Sequence, residues 1–523
     1  MRMLKYKICI GYLLMLPMLF SGCTDVWNTH YDVDNQKQIA DMTLWEEIAS
    51  RPELAAFAQC LQQYGYDKVL DGDQMYTVFA PQGEIDLGNL TEEKVKEEFI
   101  QNHIARFAHS ANSTTVDKEV LMLNEKLINF TKSGESFTFG SSTLNEVNVL
   151  AKNGVLHVIG AQVPFFYNIW EYLTTDSAYS KIKAFMYSFD ESELDEEASV
   201  KGPIVNGMQT YVDSVVVTYN ELLYTLGRLN DEDSTYTMIL PTNTAWDAAY
   251  NRIAPYFAYH RNKESRDSLQ DLYTKMGIVN DLIFSHTVQG SVQDSLISTT
   301  ENVFYDPFEY ILSDYSSMAD AQTCSNGNVF VVDSLRHAAW DSWHTTLKVE
   351  GERTNGHEFT NCIAYRRTLT YADSLYTKVS KAGYVEAVPK NSALSPSIDF
   401  SVWNTLAAPY EVKLVFLPQT LATDKSIGVY PNHIQVTVTY LDASGKEKKT
   451  NIVQAKDSLH VNPTRIDTVS AGVFAFPVST FGEEKSSTKI TVKSAARSKD
   501  KNKSSTFLID CVILEPVKEW RYE

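Results

Sequence analysis

The sequence predicts an α+β protein, with mixed helix–strand segments first and an antiparallel β-sandwich of the jelly-roll kind at the end. Three observations carry that reading. Over the first two thirds, capped helical patterns alternate with short β-rich runs. From about Trp343 onward, helical periodicity gives way to seven strand-like runs. The charge changes at the same place: residues 345–523 carry 23 Lys+Arg against 19 Asp+Glu, whereas residues 1–344 carry 23 against 47. A break of that size predicts a domain boundary near residue 345 and a slightly basic, separable C-terminal module.

The 523 residues suit three or four domains, and 44% apolar residues are enough to fill several cores. The formal charge of −20 argues against nucleic acid as a partner, because phosphate binding needs clustered Lys and Arg.

The N-terminus reads as an export signal. Arg2, Lys5 and Lys7 precede an apolar run from Ile8 to Phe20, too short to span a bilayer. Ser21-Gly22-Cys23 follows, a lipobox pattern in which small residues admit the peptidase and the Cys23 thiol takes the lipid. Phe20 departs from the usual Leu. This divides the start of the chain into a signal peptide (1–22) and a lipid-anchored linker (23–40). Acyl chains on Cys23 would hold the protein at the outer membrane, each buried methylene adding roughly 0.8 kcal/mol. Asp25 is a weak sorting signal for the cell surface.

Cys60, Cys324, Cys362 and Cys511 match no zinc spacing. Cys362 and Cys511 share the last domain in a compartment that permits a disulfide, although buried free thiols are the favoured reading.

After the linker, Thr43 and Glu46 form a capping-box pattern ahead of Leu44, Ile48, Leu54, Phe57 and Leu61 at roughly helical spacing. Met75–Pro81 is β-rich and stopped by proline. Helical pattern resumes from Thr91 to His103. Asn153-Gly154 is a turn signal ahead of Val155–Ile159.

In this order, Thr77–Pro81 (TVFAP), Asn102–Ile104 (NHI) and Asn153–Ile159 (NGVLHVI) resemble the sequence boxes and central histidine motif of fasciclin-like domains. The likeness covers residues 41–168. A divergent second copy follows over 169–342. Thr237–Asn243 stands for the first box, Phe284–Val288 for the histidine segment and Ser325–Asp333 for the closing box. It has Leu240 where the first copy has alanine before the proline. The resemblance implies a β-wedge with helices along one edge, in which the boxes are core strands.

The third domain, 343–523, contains Ile434–Tyr440, whose near-perfect alternation marks a half-buried strand. Its likeness to the β-domains of bacterial fasciclin-type lipoproteins and to carbohydrate-binding jelly rolls is architectural.

No nucleophile elbow, HExxH, P-loop or dinucleotide fingerprint occurs, so neither catalytic residues nor a cofactor nor metal ligands are assigned. His103 and His157 read as satisfied core histidines. The acidic run Asp190–Glu197 lacks calcium-loop grammar and reads as a solvated loop or helix start. The basic stretch Lys485–Lys503 reads as a solvated loop or hairpin. Trp340, Trp343 and Trp403 are the candidate ligand-binding residues, since exposed aromatics stack sugar rings, although buried Trp is commoner.

Two functions fit. The first is a non-catalytic surface lipoprotein for adhesion or glycan binding. The resemblance implies that it accompanies an outer-membrane β-barrel transporter and its glycan-binding lipoprotein in polysaccharide uptake. The alternative is a lipid-anchored carbohydrate-active hydrolase with its carboxylates in the C-terminal β-domain.

Overall fold

The computed structural model describes residues 41–523, apart from 113–116, 206, 286–294, 354, 392, 497–499 and 519–523. The expected signal peptide, the expected linker and Cys23, the expected lipidation site, lie outside the described residues, as do His286 and Arg497. No helix among the described residues is long and apolar enough to cross a membrane. The chain divides into two compact units, Met1–Pro164 and Phe165–Glu523.

In the first unit a seven-stranded sheet is built around a parallel pair. Tyr76–Pro81 runs beside Gly154–Ile159, with Tyr76 opposite Gly154 and Pro81 opposite Ile159. Ile104–Arg106 flanks the pair on one side, and the strands between Asp117 and Ala151 continue the sheet on the other. Both boxes are mostly apolar because they are buried on both faces, and their polar residues, Thr77 and His157, are buried with hydrogen-bond partners. Val78, Ala80, Leu156 and Val158 meet Leu44, Ile48, Phe57 and Leu61 of the helices, whereas Phe79 and Ile159 meet Phe130 and Phe139 on the opposite side. The expected capping box forms: Thr43 Oγ1 accepts from the Glu46 amide, and Glu46 accepts from the Thr43 amide at 2.8 Å.

The second copy repeats this register. Tyr236–Pro241 pairs in parallel with Gly327–Val332, Tyr236 opposite Gly327, and Ile283–Ser285 flanks it as Ile104–Arg106 does. Both closing boxes turn on a glycine at positive φ, 155° at Gly154 and 149° at Gly327. A Cβ at either would lie 1.9 Å from a backbone oxygen, Tyr76 O or Tyr236 O, so only glycine fits.

The acidic run forms a strand, contrary to the loop or helix start expected. Asp190–Val205 pairs with Met208–Asn220 as a separate two-stranded ribbon, exposed along most of its length. Its carboxylates are tolerated in a strand because solvent reaches both faces. Much of its partner strand is aliphatic (Val212, Val215, Val216, Val217), which favours extended backbone.

Residues 347–516 form two antiparallel sheets facing each other across an apolar core. One contains Gly383–Pro389, Phe507–Pro516 and Pro409–Phe416; the other contains Ser397–Val402, Thr488–Ser494 and Asn432–Leu441. Within the basic stretch, the strand expected at Lys489–Val492 forms as Thr488–Ser494, a central strand of its sheet that carries Lys489 and Lys493. Cys362 and Cys511 are buried free thiols.

The boundary near residue 345 does not release a separable module. Ile253, Tyr256, Phe257, Tyr410 and Phe476 belong to one continuous core. Backbone bonds cross the junction, from Ala407 N to Tyr256 O (2.8 Å) and from Ser479 N to Ala258 O (2.7 Å). Formal charge reports the solvated surface, whereas this junction is made by aromatic side chains and main chain.

Candidate functional site

A cleft of about 660 Å³ opens on the β-sandwich, lined by Arg353, Asn355, Trp403, Asn404 and Glu483. Trp403 follows directly on the strand Ser397–Val402, and Asn404 then turns the chain at φ 60°. The indole is seated by Gly356, whose φ is 85°; a Cβ there would come within 2.3 Å of the ring. Ser401 N donates to Gly356 O at 2.9 Å, which ties this loop to the strand. The half-buried Trp403 therefore sits in a fixed place at the cleft wall.

The polar groups around it are partly committed. Asn404 Oδ1 accepts from Gly482 N at 3.0 Å, leaving its Nδ2 as a donor. Lys263 holds Glu483 Oε1 at 2.9 Å, and Ser487 Oγ donates to Glu483 Oε2 at 3.0 Å. An aromatic wall with a few fixed polar groups can bind a polar ring by stacking and orient it by hydrogen bonding.

Trp340 and Trp343 are not brought to this cleft. Trp340 lies half-buried in the turn Ala339–Asp341. Trp343 packs edge-to-face on Tyr256 at 6.0 Å, and the Arg252 guanidinium lies 5.2 Å from its ring centre. Trp343 thus serves packing near the junction, and of the three candidates Trp403 alone lines the cleft.

A second cluster was not legible in the sequence. Strand Leu347–Glu350 pairs with Phe507–Pro516, which places Glu350 opposite Cys511 and beside Asp510. Donor atoms of Glu350, Asp510 and Cys511 lie within 4.8 Å of one another, all three residues buried. Glu350 Oε1 accepts from Ser380 Oγ, and Asp510 Oδ2 accepts from Ser380 N. Glu350 Oε2, Glu352 Oε2 and Asp510 Oδ1 are buried without a hydrogen-bond partner. Burial, helped by the nearby Glu350 and Glu352, raises Asp510 to about 6. Unpaired buried carboxylate oxygens are costly, and a hard divalent cation is the partner that such an oxygen set suits. Glu350-Gly351-Glu352 and Asp510 are joined only by strand pairing, so no local motif marks them.

The box histidines are structural. His103 Nδ1 donates to Phe99 O at 2.7 Å while Nε2 accepts from Val163 N at 3.0 Å. His157 has the opposite tautomer: Nε2 donates to His109 O at 2.8 Å and Nδ1 accepts from Asn148 N. Burial lowers both to about 4, so each stays neutral.

Residues 52–162 match the family model of the Fasciclin domain. This part of the chain is a Fasciclin domain. Among solved structures, the FAS1 domain pair of the insect cell adhesion molecule fasciclin I is similar at 13% identity. That match covers 57% of this chain and 97% of that one, with a TM-score of 0.20. A family 35 carbohydrate binding module from Clostridium thermocellum is similar at 11% identity, covering 33% of this chain and 99% of that one at a TM-score of 0.20. A xylan-binding domain of carbohydrate-binding-module family 22 is similar at 12% identity, covering 33% and 95% at a TM-score of 0.21. Comparison with curated proteins gives no match.

Proposed function

We propose that the protein is a non-catalytic binding protein that captures glycan in the Trp403 cleft. The single observation behind this reading is the seating of the indole: Gly356 and the strand end fix Trp403 at the wall of a cleft rimmed by amide and guanidinium donors. The Fasciclin domain at 52–162 fits an adhesion or glycan-binding role. In the wider proposal Cys23 carries the lipid that tethers the chain to the outer membrane, facing outward. There it delivers glycan to a β-barrel transporter and that transporter's own glycan-binding lipoprotein. The lipobox sequence supports the tether, and the resemblance to fasciclin-type lipoproteins supports the transporter as partner.

The hydrolase alternative requires two carboxyl groups flanking the bond to be cleaved, roughly 5–10 Å apart. Glu483 is the one carboxylate among the cleft-lining residues, and Lys263 engages it. That favours binding over turnover. Affinity electrophoresis of the mature chain through a panel of polysaccharides tests the reading. Retardation is expected, lost in Trp403→Ala while the fold persists. Polysaccharide cleavage by the purified protein would overturn it.

A further inference from the structure

We infer that the Trp403 cleft is built for an acidic glycan, whose uronic-acid carboxylate is received by the guanidinium of Arg353. This rests on the glycan-binding reading and names the class of sugar.

One of the two charges at the cleft is already satisfied and the other is not. Arg353 and Glu483 are the two charged residues lining it. Glu483 is occupied on both oxygens, by Lys263 at 2.9 Å and by Ser487 at 3.0 Å. Arg353 is exposed and enters no salt bridge among the described residues. Its own backbone is held, since Arg353 N donates to Glu350 O at 3.4 Å, so the side chain starts from an anchored position. The cleft therefore presents one unanswered positive charge.

The neutral groups add to the same bias. Asn404 has spent its acceptor on Gly482 N and keeps its Nδ2 donor. Guanidinium and amide donors lining the same cleft as an indole complement a sugar ring rich in acceptors. A carboxylate suits the guanidinium best, because the planar fork can accept it in two parallel bonds. A neutral sugar would leave that fork to solvent. The setting strengthens the contrast: the chain as a whole has a formal charge of −20, whereas residues 345–523 hold 23 Lys+Arg against 19 Asp+Glu. A polyanion is repelled by the acidic excess of the chain and accepted locally at this cleft, so the contact is selective and sensitive to salt.

The test uses the mature chain with polygalacturonate and with the same polymer methyl-esterified, which keeps the ring and removes the charge. Alginate and glucuronoxylan, with their carboxyl-reduced forms, extend the comparison. Binding to the free acids is expected to exceed binding to the esters or reduced forms by about tenfold, the usual span of one charged hydrogen-bonded contact. Arg353→Ala should lose that preference, Arg353→Lys should keep part of it, and Trp403→Ala should lose both kinds of polymer. Salt should weaken the acid binding alone. Equal binding of free and esterified polymers, or an Arg353→Ala protein that retains its preference, overturns the inference and leaves the glycan reading standing. No binding to any acidic or neutral polymer overturns both.

Discussion

Asn153 and Asn326 do the same work in the two fasciclin-like copies. Each donates from Nδ2 to two backbone carbonyls, Leu70 O and Gly72 O in the first copy and Leu229 O and Asp231 O in the second. Each accepts at Oδ1 from the first amide of a helix, Leu44 N or Ile169 N. The asparagine thus joins the start of the domain to its closing strand. Asn153→Ala leaves three buried backbone groups unpaired and should destabilise the first unit by about 3 kcal/mol. Asn326→Ala should do the same to the second. Thermal denaturation followed by circular dichroism measures both, and the two losses should be of similar size.

Gly356 controls the cleft without belonging to the core of the sandwich. A methyl group at its Cβ would enter the Trp403 ring, and φ 85° already disfavours any side chain. Gly356→Ala should shift the tryptophan emission and abolish glycan retardation, while costing the fold only about 1–2 kcal/mol. An unchanged spectrum with full binding would show that the indole does not depend on this seat.

Acid should weaken the first unit through its histidines. His103 and His157 titrate near 4 when folded against 6.5 when free, so the unfolded chain binds more protons between those values. The stability they contribute is complete above pH 6.5 and disappears as pH falls toward 4, on the order of 3 kcal/mol for each. Protonation also puts a proton on a nitrogen that already accepts from an amide, Val163 N or Asn148 N. Denaturant midpoints measured from pH 7 to pH 4.5 should fall, and His157→Gln should flatten the curve.

Asp510 gives the opposite sign. Its folded value near 6 lies above the ordinary 3.8, so its contribution is complete below pH 3.8 and lost as pH rises through 6. In chelator at pH 8, Asp510→Asn should therefore stabilise the unit Phe165–Glu523, by about 1–2 kcal/mol. In millimolar calcium the order should reverse, because the wild-type carboxylates then gain a partner that the amide weakens. Scanning calorimetry in the two buffers checks this, and the absence of any calcium effect on the wild type would remove the cation from the account.

Residues Phe165–Glu523 should unfold together. Tyr259 Oη donates to Phe481 O at 2.8 Å, and Phe257 and Tyr273 both pack on the Phe481 ring. Calorimetry should show one transition for this unit and another for residues 41–164. Phe481→Ala should lower the first of these transitions and leave the other in place, the half-buried ring giving a smaller loss than a fully buried Phe would.

What the sequence revealed follows the range over which each constraint acts. Asn153-Gly154 and Thr43–Glu46 were legible because a left-handed turn and a helix cap are decided by neighbours in the chain. The strand Asp190–Val205 was not, since its pairing partner begins after the turn and the acidic residues carry no strand preference of their own. Glu350 and Asp510 are brought together by pairing of distant strands, which no spacing rule anticipates. Trp340, Trp343 and Trp403 looked alike as residues; only packing separates the two near the junction from the one at the cleft.

The ribbon from Asp190 to Asn220 sets how the protein wears in use. Its strands pair only with each other, and Ile204, Val212 and Met208 are 70%, 75% and 71% exposed. Its outward-facing amides lack the shelter that a wider sheet provides and should exchange with deuterium ahead of the core strands. Limited proteolysis should make its first cut here. The nicked halves should stay associated, because Asn220, at the root of the ribbon, remains bonded to Met186 O and Asp190.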